Sequence, residues 1–590
     1  MSDEINNQFE EEILGKAYDS KLMKRLLTYA GAYWKYFLTA VIMLLGSTVT
    51  DLARPYLLKV AIDDKISKGD LHGLGQVGLI FIGLIVVGFL FNYVQIYVLS
   101  LAGQTIIYNI RQQVFSHLQK MTLSFFDRNP IGRLVTRVTN DTETLNEMYT
   151  NVLVTLLKDV LILVGTIVIL FRMNTVLALI TLAVSPVVVV VTAVFRIKIR
   201  DVYRWVRTTL ARINTSFSEN ISGMRIIQLF RRERENFGEF KKVNRDYYNA
   251  GMKEIVTFGI FRPVIEFLSY LAIAAVIWYG GGKVLQGALE FGVLYAFINY
   301  INLFFQPIND LADKYNILQS SMAASERIFL ILDTPVEKDD GSIVLDKKTF
   351  RPGIEFKNVW FAYKDEDWVL RDVSFSVPAG KTVAIVGATG AGKTSIINLL
   401  NRFYEIQKGD IFIDGINVRD TTKDSLRRCI GVVLQDVFLF SGTIKQNIRL
   451  NEAEIADDEV KRAAEYVNAG SFIDNLPGRY DEEVMERGST FSSGQRQLLA
   501  FARALAFDPP ILVLDEATSN IDTETELLIQ DALAKLTRGR TTIVIAHRLS
   551  TIQHADMIIV LHKGKIREMG NHQELLSKKG MYYNLYQLQE

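Results

Sequence analysis

Gly387-Ala388-Thr389-Gly390-Ala391-Gly392-Lys393-Thr394 is the stretch on which the reading of this chain turns. It satisfies the pattern GxxxxGK[ST]. The β-rich run Thr382–Val386 precedes it and the helix-forming stretch Ser395–Leu400 follows. Strand, glycine loop and helix in that order make a phosphate cradle. The glycines let backbone N–H groups close around an anion, and the helix start adds favourable partial positive charge. In such a cradle Gly387 through Gly392 line the phosphates of a nucleotide, ATP being the expected one. Lys393 reaches the β- and γ-phosphates, the Thr394 hydroxyl binds Mg²⁺, and Ser395 completes the helix start.

Two further strand ends carry chemistry. The apolar run Ile511–Leu514 delivers Asp515 and Glu516 to its end, where adjacent acids can divide labour. Asp515 holds Mg²⁺ through water and Glu516 polarises the attacking water. The run Thr542–Ala546 ends at His547, whose imidazole can position a nucleophile or stabilise developing charge. With Ile430–Leu434, these short β-rich runs alternate with helical stretches from about residue 336 onward, the pattern of an α/β domain. Asp333-Thr334-Pro335 marks the expected join.

Upstream of that join the chain is of a different kind. Hydrophobic residues make up 49% of the whole and the mean hydropathy is +0.16, high for a soluble enzyme. Six apolar segments approach the roughly 20 residues that cross a bilayer: about 37–58, 74–102, 152–171, 176–195, 255–279 and 291–308. The third and fourth are joined by the tight turn Arg172-Met173-Asn174-Thr175. The segments after the second and fourth spans are long and polar. The latter holds Arg196, Lys198, Arg200, Arg204, Arg207, Arg212, Arg231, Arg232 and Arg234. The excess of basic residues predicts that these loops, and hence both termini, face the cytoplasm. Residues 1–19, acidic and polar at the start, read as a cytosolic tail and not as a signal peptide. Lys21, Lys24 and Arg25 alternate with Leu22, Met23, Leu26 and Leu27, which suits an amphipathic helix on the inner membrane surface or an ordinary cytosolic helix. A formal charge of +1 supplies no global field for nucleic acid. The single cysteine, Cys429, excludes an intrachain disulfide.

With the phosphate loop, the Asp515–Glu516 pair and the stretch Phe491-Ser492-Ser493-Gly494-Gln495-Arg496-Gln497, the C-terminal half resembles the nucleotide-binding domain of an ABC transporter. The whole chain, from about residue 20, resembles an ABC exporter half-transporter: an all-α membrane domain (residues 20–335) of six spanning helices, type I exporter-like, fused to an α/β domain (336–590). The resemblance implies several roles. Phe491 to Gln495 corresponds to the signature sequence LSGGQ, which completes an ATP site across a dimer. Tyr363 matches the aromatic that stacks on adenine, and Gln435 the Q-loop glutamine that binds Mg²⁺. Ser519-Asn520-Ile521-Asp522 matches the D-loop, with Asp522 its acid. Glu486-Arg487-Gly488 matches the segment that meets coupling helices. Phe125-Phe126-Asp127, Gly132, Arg137 and Asp141 resemble the first cytoplasmic loop of exporters, and Ile221 to Ile227 the second, which docks on the partner chain's domain.

One position departs from the pattern. Ser493 stands where the family has the first glycine of its signature, and a side chain there restricts φ and crowds the approach to phosphate. Heterodimeric exporters pair one competent ATP site with one impaired site. On that reading this chain supplies Lys393, Asp515, Glu516 and His547 to the competent site and the altered signature to the other. A homodimer with a tolerated serine is the alternative. The expected function is ATP-driven efflux of small hydrophobic or amphipathic compounds, of multidrug type, across a bacterial cytoplasmic membrane, with membrane lipid among the partners. A lipid or lipid-precursor flippase, or an ATP-gated regulatory subunit, is the alternative. Tyr270, Phe297, Tyr300, Phe304 and Phe305 either line an apolar cavity or face lipid or pack the bundle. Asp51, Arg54, Lys158 and Asp159 within the spans are candidate functional charges, with contacts between helices or at a gate as the alternative.

Overall fold

A computed structural model describes residues 19–347, 352–452, 454–515, 523–546 and 552–587. The chain divides into two compact units. One comprises Met1–Lys120 and Pro130–Pro335. The other comprises Met121–Asn129 and Val336–Glu590.

Among the described residues of the first unit, six helices are long and apolar enough to cross a membrane. Their apolar cores fall where the sequence places them, but the helices run far beyond. The second spans Leu71–Leu118, the fifth Glu233–Leu285 and the sixth Phe291–Asp333. At 1.5 Å per residue, 48 residues make about 72 Å, more than twice a hydrocarbon core of about 30 Å. Most of the polar stretches that read as loops are therefore helix. In hydrocarbon each backbone polar group must find its partner within the helix, and nothing in the flanking polar sequence stops the ladder where the membrane ends. The third-to-fourth turn is as tight as expected. The Asn174 side chain accepts from the N–H groups of Val176 and Leu177, both at 3.1 Å, and so caps the next helix. That fourth span breaks between Thr175–Leu182 and Ser185–Ser222, where Pro186 sits in the first turn of the second piece.

The charges inside the spans pair with one another. Asp51 lies 3.3 Å from Arg54 and 3.2 Å from Lys158, and Asp159 pairs with Lys314. Of the candidate cavity aromatics, Phe297, Tyr300, Phe304 and Phe305 are buried in this chain's own core, with the Tyr300 hydroxyl on the Leu52 carbonyl at 2.7 Å. They pack the bundle. Tyr270 is exposed. The helix Ser20–Gly31 buries Met23, Leu26 and Ala30 against the bundle. Arg25 holds Asp333 through two hydrogen bonds of 2.7 and 2.8 Å and lies over the Phe329 ring.

Asp141 is the best-bonded buried carboxylate of this unit. It is 5% exposed and accepts from Arg327 through Nε at 2.9 Å and Nη2 at 2.6 Å, and from Arg137 at 2.9 Å. It thereby ties the polar start of the third helix to the end of the sixth. Asp141→Asn leaves two guanidinium groups facing one neutral amide. Loss of one partner from a buried ionic pair costs about 3 kcal/mol. The expected outcome is a clear fall in thermal midpoint in detergent by intrinsic fluorescence. Arg137→Met should do less, because the two-pronged Arg327 contact survives.

In the second unit a six-stranded sheet runs, edge to edge, Lys565–Gly570, Met557–His562, Thr382–Val386, Thr541–Ile545, Ile511–Asp515 and Ile430–Val433. All neighbours are parallel except the first pair. Buried on both sides, the inner strands read as continuous apolar runs. Their side chains alternate between two cores. Val383, Ile385, Val513, Ile543 and Ile545 share one with Ile396, Leu400, Phe356 and Phe375. Ala384, Val386, Leu512, Leu514 and Val544 share the other with Leu498, Phe501 and Ile529. A four-stranded antiparallel sheet, ordered Trp368–Val377, Ile354–Ala362, Lys408–Ile413 and Ile416–Asn417, closes the first core.

Just past the join, Glu337 accepts from Arg427 at 2.7 and 3.0 Å and from Lys423 at 3.2 Å. Burial pushes its pKa up, but the two cations outweigh that and hold it below its ordinary value. Because the folded pKa is depressed, this anchor contributes stability above the usual glutamate range and loses it as pH falls through the lowered pKa. Glu337→Gln should therefore narrow the difference in thermal midpoint between pH 7 and pH 4, measured side by side with the unsubstituted protein.

Candidate functional site

The phosphate loop joins the central strand Thr382–Val386 to the helix Lys393–Leu400. Its glycines are required sterically. A Cβ at Gly387 would stand 2.2 Å from the Leu561 carbonyl oxygen. Gly392 caps the helix at φ +103°, and a Cβ there would meet Leu370 at 2.7 Å. Lys393 is buried, and its Nζ donates to the carbonyls of Gly387 at 2.6 Å and Ala388 at 3.3 Å. Burial lowers its pKa, and the charge of Asp515 opposes that. Asp515 ends the strand Ile511–Asp515, two places along the sheet from the loop's own strand, and is 9% exposed. Thr394, Thr389 and Gly390 are exposed along the loop. A cradle of backbone N–H groups, a buried ammonium, a free-standing hydroxyl and a carboxylate at a strand end fit a nucleotide triphosphate with Mg²⁺.

Tyr363 stands beside this cradle, half-exposed. Its hydroxyl lies 3.1 Å from Ser395 Oγ and accepts from Asn398 Nδ2 at 3.2 Å. The helix that begins at the loop therefore fixes the aromatic ring next to it. Asn398 carries no motif, and sequence reading misses it. Its position one turn beyond Ser395 and Thr394 was the available signal.

The signature stretch starts the helix Ser493–Ala506. Ser492 is its N-cap: its Oγ accepts from Gln495 N–H at 3.2 Å, while Gln495 Oε1 accepts from Ser492 N–H at 3.0 Å. This reciprocal box is built from the motif's own residues. Ser493 is the first helical residue, with its side chain exposed, and it is not among the residues with positive φ. The expected φ restriction therefore does not arise, and what the serine changes is the added exposed side chain at the helix start. Phe491 and Gly494 are buried beneath it. This helix packs on the second of the two cores, whereas the loop helix packs on the first. The phosphate loop and the signature thus belong to opposite faces of one sheet.

Gln435 and Glu486 are both exposed. A short antiparallel pair, Gly442–Thr443 with Glu483–Val484, straps their segments together. Around them Leu434, Phe438, Phe440 and Met485 are each at least half-exposed, an apolar surface that no motif announced. Glu516, Asp522 and His547 lie outside the described residues.

Fold and site together define an ATP-using membrane transporter. Residues 37–308 match the family model described as ABC transporter transmembrane region, and residues 370–519 match the model described as ABC transporter. The chain is 41% identical, over 88% of its length and 78% of the relative's, to the "Probable multidrug resistance ABC transporter ATP-binding/permease protein YheH" of Bacillus subtilis. It is 37% identical, over 96% of its length and 94% of the relative's, to an ATP-dependent lipid A-core flippase of Syntrophus aciditrophicus. A solved structure of a bacterial Atm1-family ABC exporter with ATP bound aligns with TM-score 0.77 and 30% identity, covering 94% of this chain and 98% of that one. The chain belongs to the ABC transporter family and is an ATP-hydrolysing exporter.

Lys393→Met keeps the buried volume and removes the charge that faces the phosphates. ATPase turnover of the reconstituted protein should fall by about 100-fold or more, with the thermal midpoint little changed.

Proposed function

We propose that this chain is one half of a dimeric exporter of hydrophobic or amphipathic compounds, with a different chain as its partner, in a bacterial cytoplasmic membrane with both termini inside. The observation that carries the dimer is the separation of the phosphate loop and the signature helix onto opposite sheet faces. On this reading one chain's signature serves another chain's loop. Exposed apolar surface supports the same reading. It is found at Leu434, Phe438, Phe440 and Met485, and around the short helix Met224–Leu229 at Ile226, Leu229 and Phe230. On this reading a partner's short helix covers the first patch.

Within the ATP site, Lys393 and the loop N–H groups hold the phosphates and Tyr363 stacks on the base. Thr394, Gln435 and Asp515 are the residues that would hold Mg²⁺, which would supply neutralisation of phosphate charge. Glu516 orients the attacking water, and His547 positions it or stabilises developing charge. Ser493 supports the heterodimer: its exposed side chain stands where the family's signature has glycine, so the site this signature completes is the weaker one. The name of the Bacillus subtilis relative supports a multidrug cargo, and that of the flippase supports a lipid cargo as the second reading.

Purified alone, the chain should hydrolyse ATP at least about tenfold more slowly than when co-purified with its partner. Full dye-stimulated turnover by the lone chain would overturn the heterodimer. ATP-driven movement of a lipophilic dye or of fluorescent phospholipid, supplied at the outer face of inverted vesicles, separates the two cargo readings. Glu516→Gln should retain ATP and stop turnover.

A further inference from the structure

The stretch Arg402–Gln407, between the loop helix and the next strand, has no role in the site so far. It is firmly held. Arg402 is 4% exposed and donates to the carbonyls of Val418, Arg419 and Thr421 at 3.0–3.1 Å. Arg419 in turn donates to the carbonyl of Ile406 at 2.8 Å, one residue before Gln407. Gln407 is exposed, yet its side chain pairs with both backbone groups of Ala362. Its Oε1 accepts from the Ala362 N–H at 3.1 Å and its Nε2 donates to the Ala362 carbonyl at 2.8 Å.

The place of that pairing in the antiparallel sheet gives it meaning. Ala362 is the last residue of the strand Ile354–Ala362 and pairs with Trp368 on one side. On the other side the strand Lys408–Ile413 has already run out, because its first residue, Lys408, pairs with Trp360. Ala362 would therefore lack a ladder partner on that side. The Gln407 amide offers one acceptor and one donor, as a peptide group of a neighbouring strand would. It extends the ladder by one residue, and the next residue is Tyr363. The Tyr363 ring meets Phe361 edge-on at 4.7 Å and Tyr404 at 5.0 Å.

We propose that Gln407 is a positioning residue for the base of the nucleotide. The proposal rests on the reading of Tyr363 as the base-stacking ring. The Ala362 carbonyl belongs to the same planar peptide group as the Tyr363 N–H. A hydrogen bond from Gln407 to that carbonyl thus fixes the plane from which the Tyr363 side chain departs. Ser395 and Asn398 hold the far end of the ring through its hydroxyl. A ring held at both ends stands ready before the base arrives, so less ordering remains to oppose binding. Gln407 acts through Tyr363 and need not touch the nucleotide.

The test uses the intact transporter in lipid nanodiscs. Two ligands are titrated by calorimetry with Mg²⁺ present: the non-hydrolysable analogue AMP-PNP, and tripolyphosphate, which has the phosphates but no base. Gln407→Met keeps the length of the side chain and removes both hydrogen bonds. Affinity for AMP-PNP should fall about fivefold, the size of one net hydrogen bond. Affinity for tripolyphosphate should stay within about twofold, which also shows that the phosphate loop is intact. In a Tyr363→Ala background, Gln407→Met should add no further loss. An unchanged affinity for AMP-PNP in Gln407→Met, an equal loss for both ligands, or a loss that persists without the Tyr363 ring would overturn the positioning role. Tyr363→Ala with an unchanged affinity for AMP-PNP would overturn the base-stacking reading instead.

Discussion

The close approach of Gly387 to the Leu561 carbonyl is the constraint around which the second unit is organised. Because no side chain can stand there, the chain leaves the central strand in a tight loop and enters a helix at Gly392 with positive φ. That helix sets the direction of everything after it. Lys393 turns back onto the loop carbonyls, Ser395 and Asn398 meet the Tyr363 hydroxyl, and the segment beyond brings Tyr404 and Gln407 to the same aromatic corner. A single backbone requirement therefore places a charge, an aromatic ring and that ring's support.

The membrane unit obeys a different constraint. There the backbone must satisfy itself, so helices persist well past the hydrocarbon and hold their polar ends together with ion pairs. Arg327 on Asp141 and Arg25 on Asp333 both fasten other elements to the last helix, beyond the apolar length of its span. The charges nearer mid-span, Asp51 with Arg54 and Lys158, follow the same rule of mutual pairing. Each cation there has a carboxylate close enough to offset part of its desolvation.

Much of the site was legible because its residues are local. The phosphate loop, the signature stretch from Phe491 to Gln495 and the carboxylate at the end of Ile511–Asp515 each occupy a few consecutive positions. Asn398, Tyr404 and Gln407 were not legible. They act across 35 to 45 residues of sequence, on Tyr363 and Ala362, and nothing in their own neighbourhood marks them. The sequence left the aromatics of the sixth span open between lining a cavity and packing, for a related reason. Apolar composition is the same for a side chain that lines a cavity and for one that packs a bundle, and only the contacts of Phe297 and Tyr300 separate the two.

By itself, then, the sequence determined the two-part architecture, the six apolar crossings and the nucleotide chemistry, because hydropathy and short motifs are properties of neighbouring residues. Tertiary structure alone decided that Ser493 carries no backbone strain, that the loop and the signature lie on opposite faces of one sheet, and that Asp127 belongs to the nucleotide-binding unit. These depend on which strand lies next to which and on where a helix begins. Such facts follow from packing between segments far apart in the chain, where periodicity and spacing carry no record.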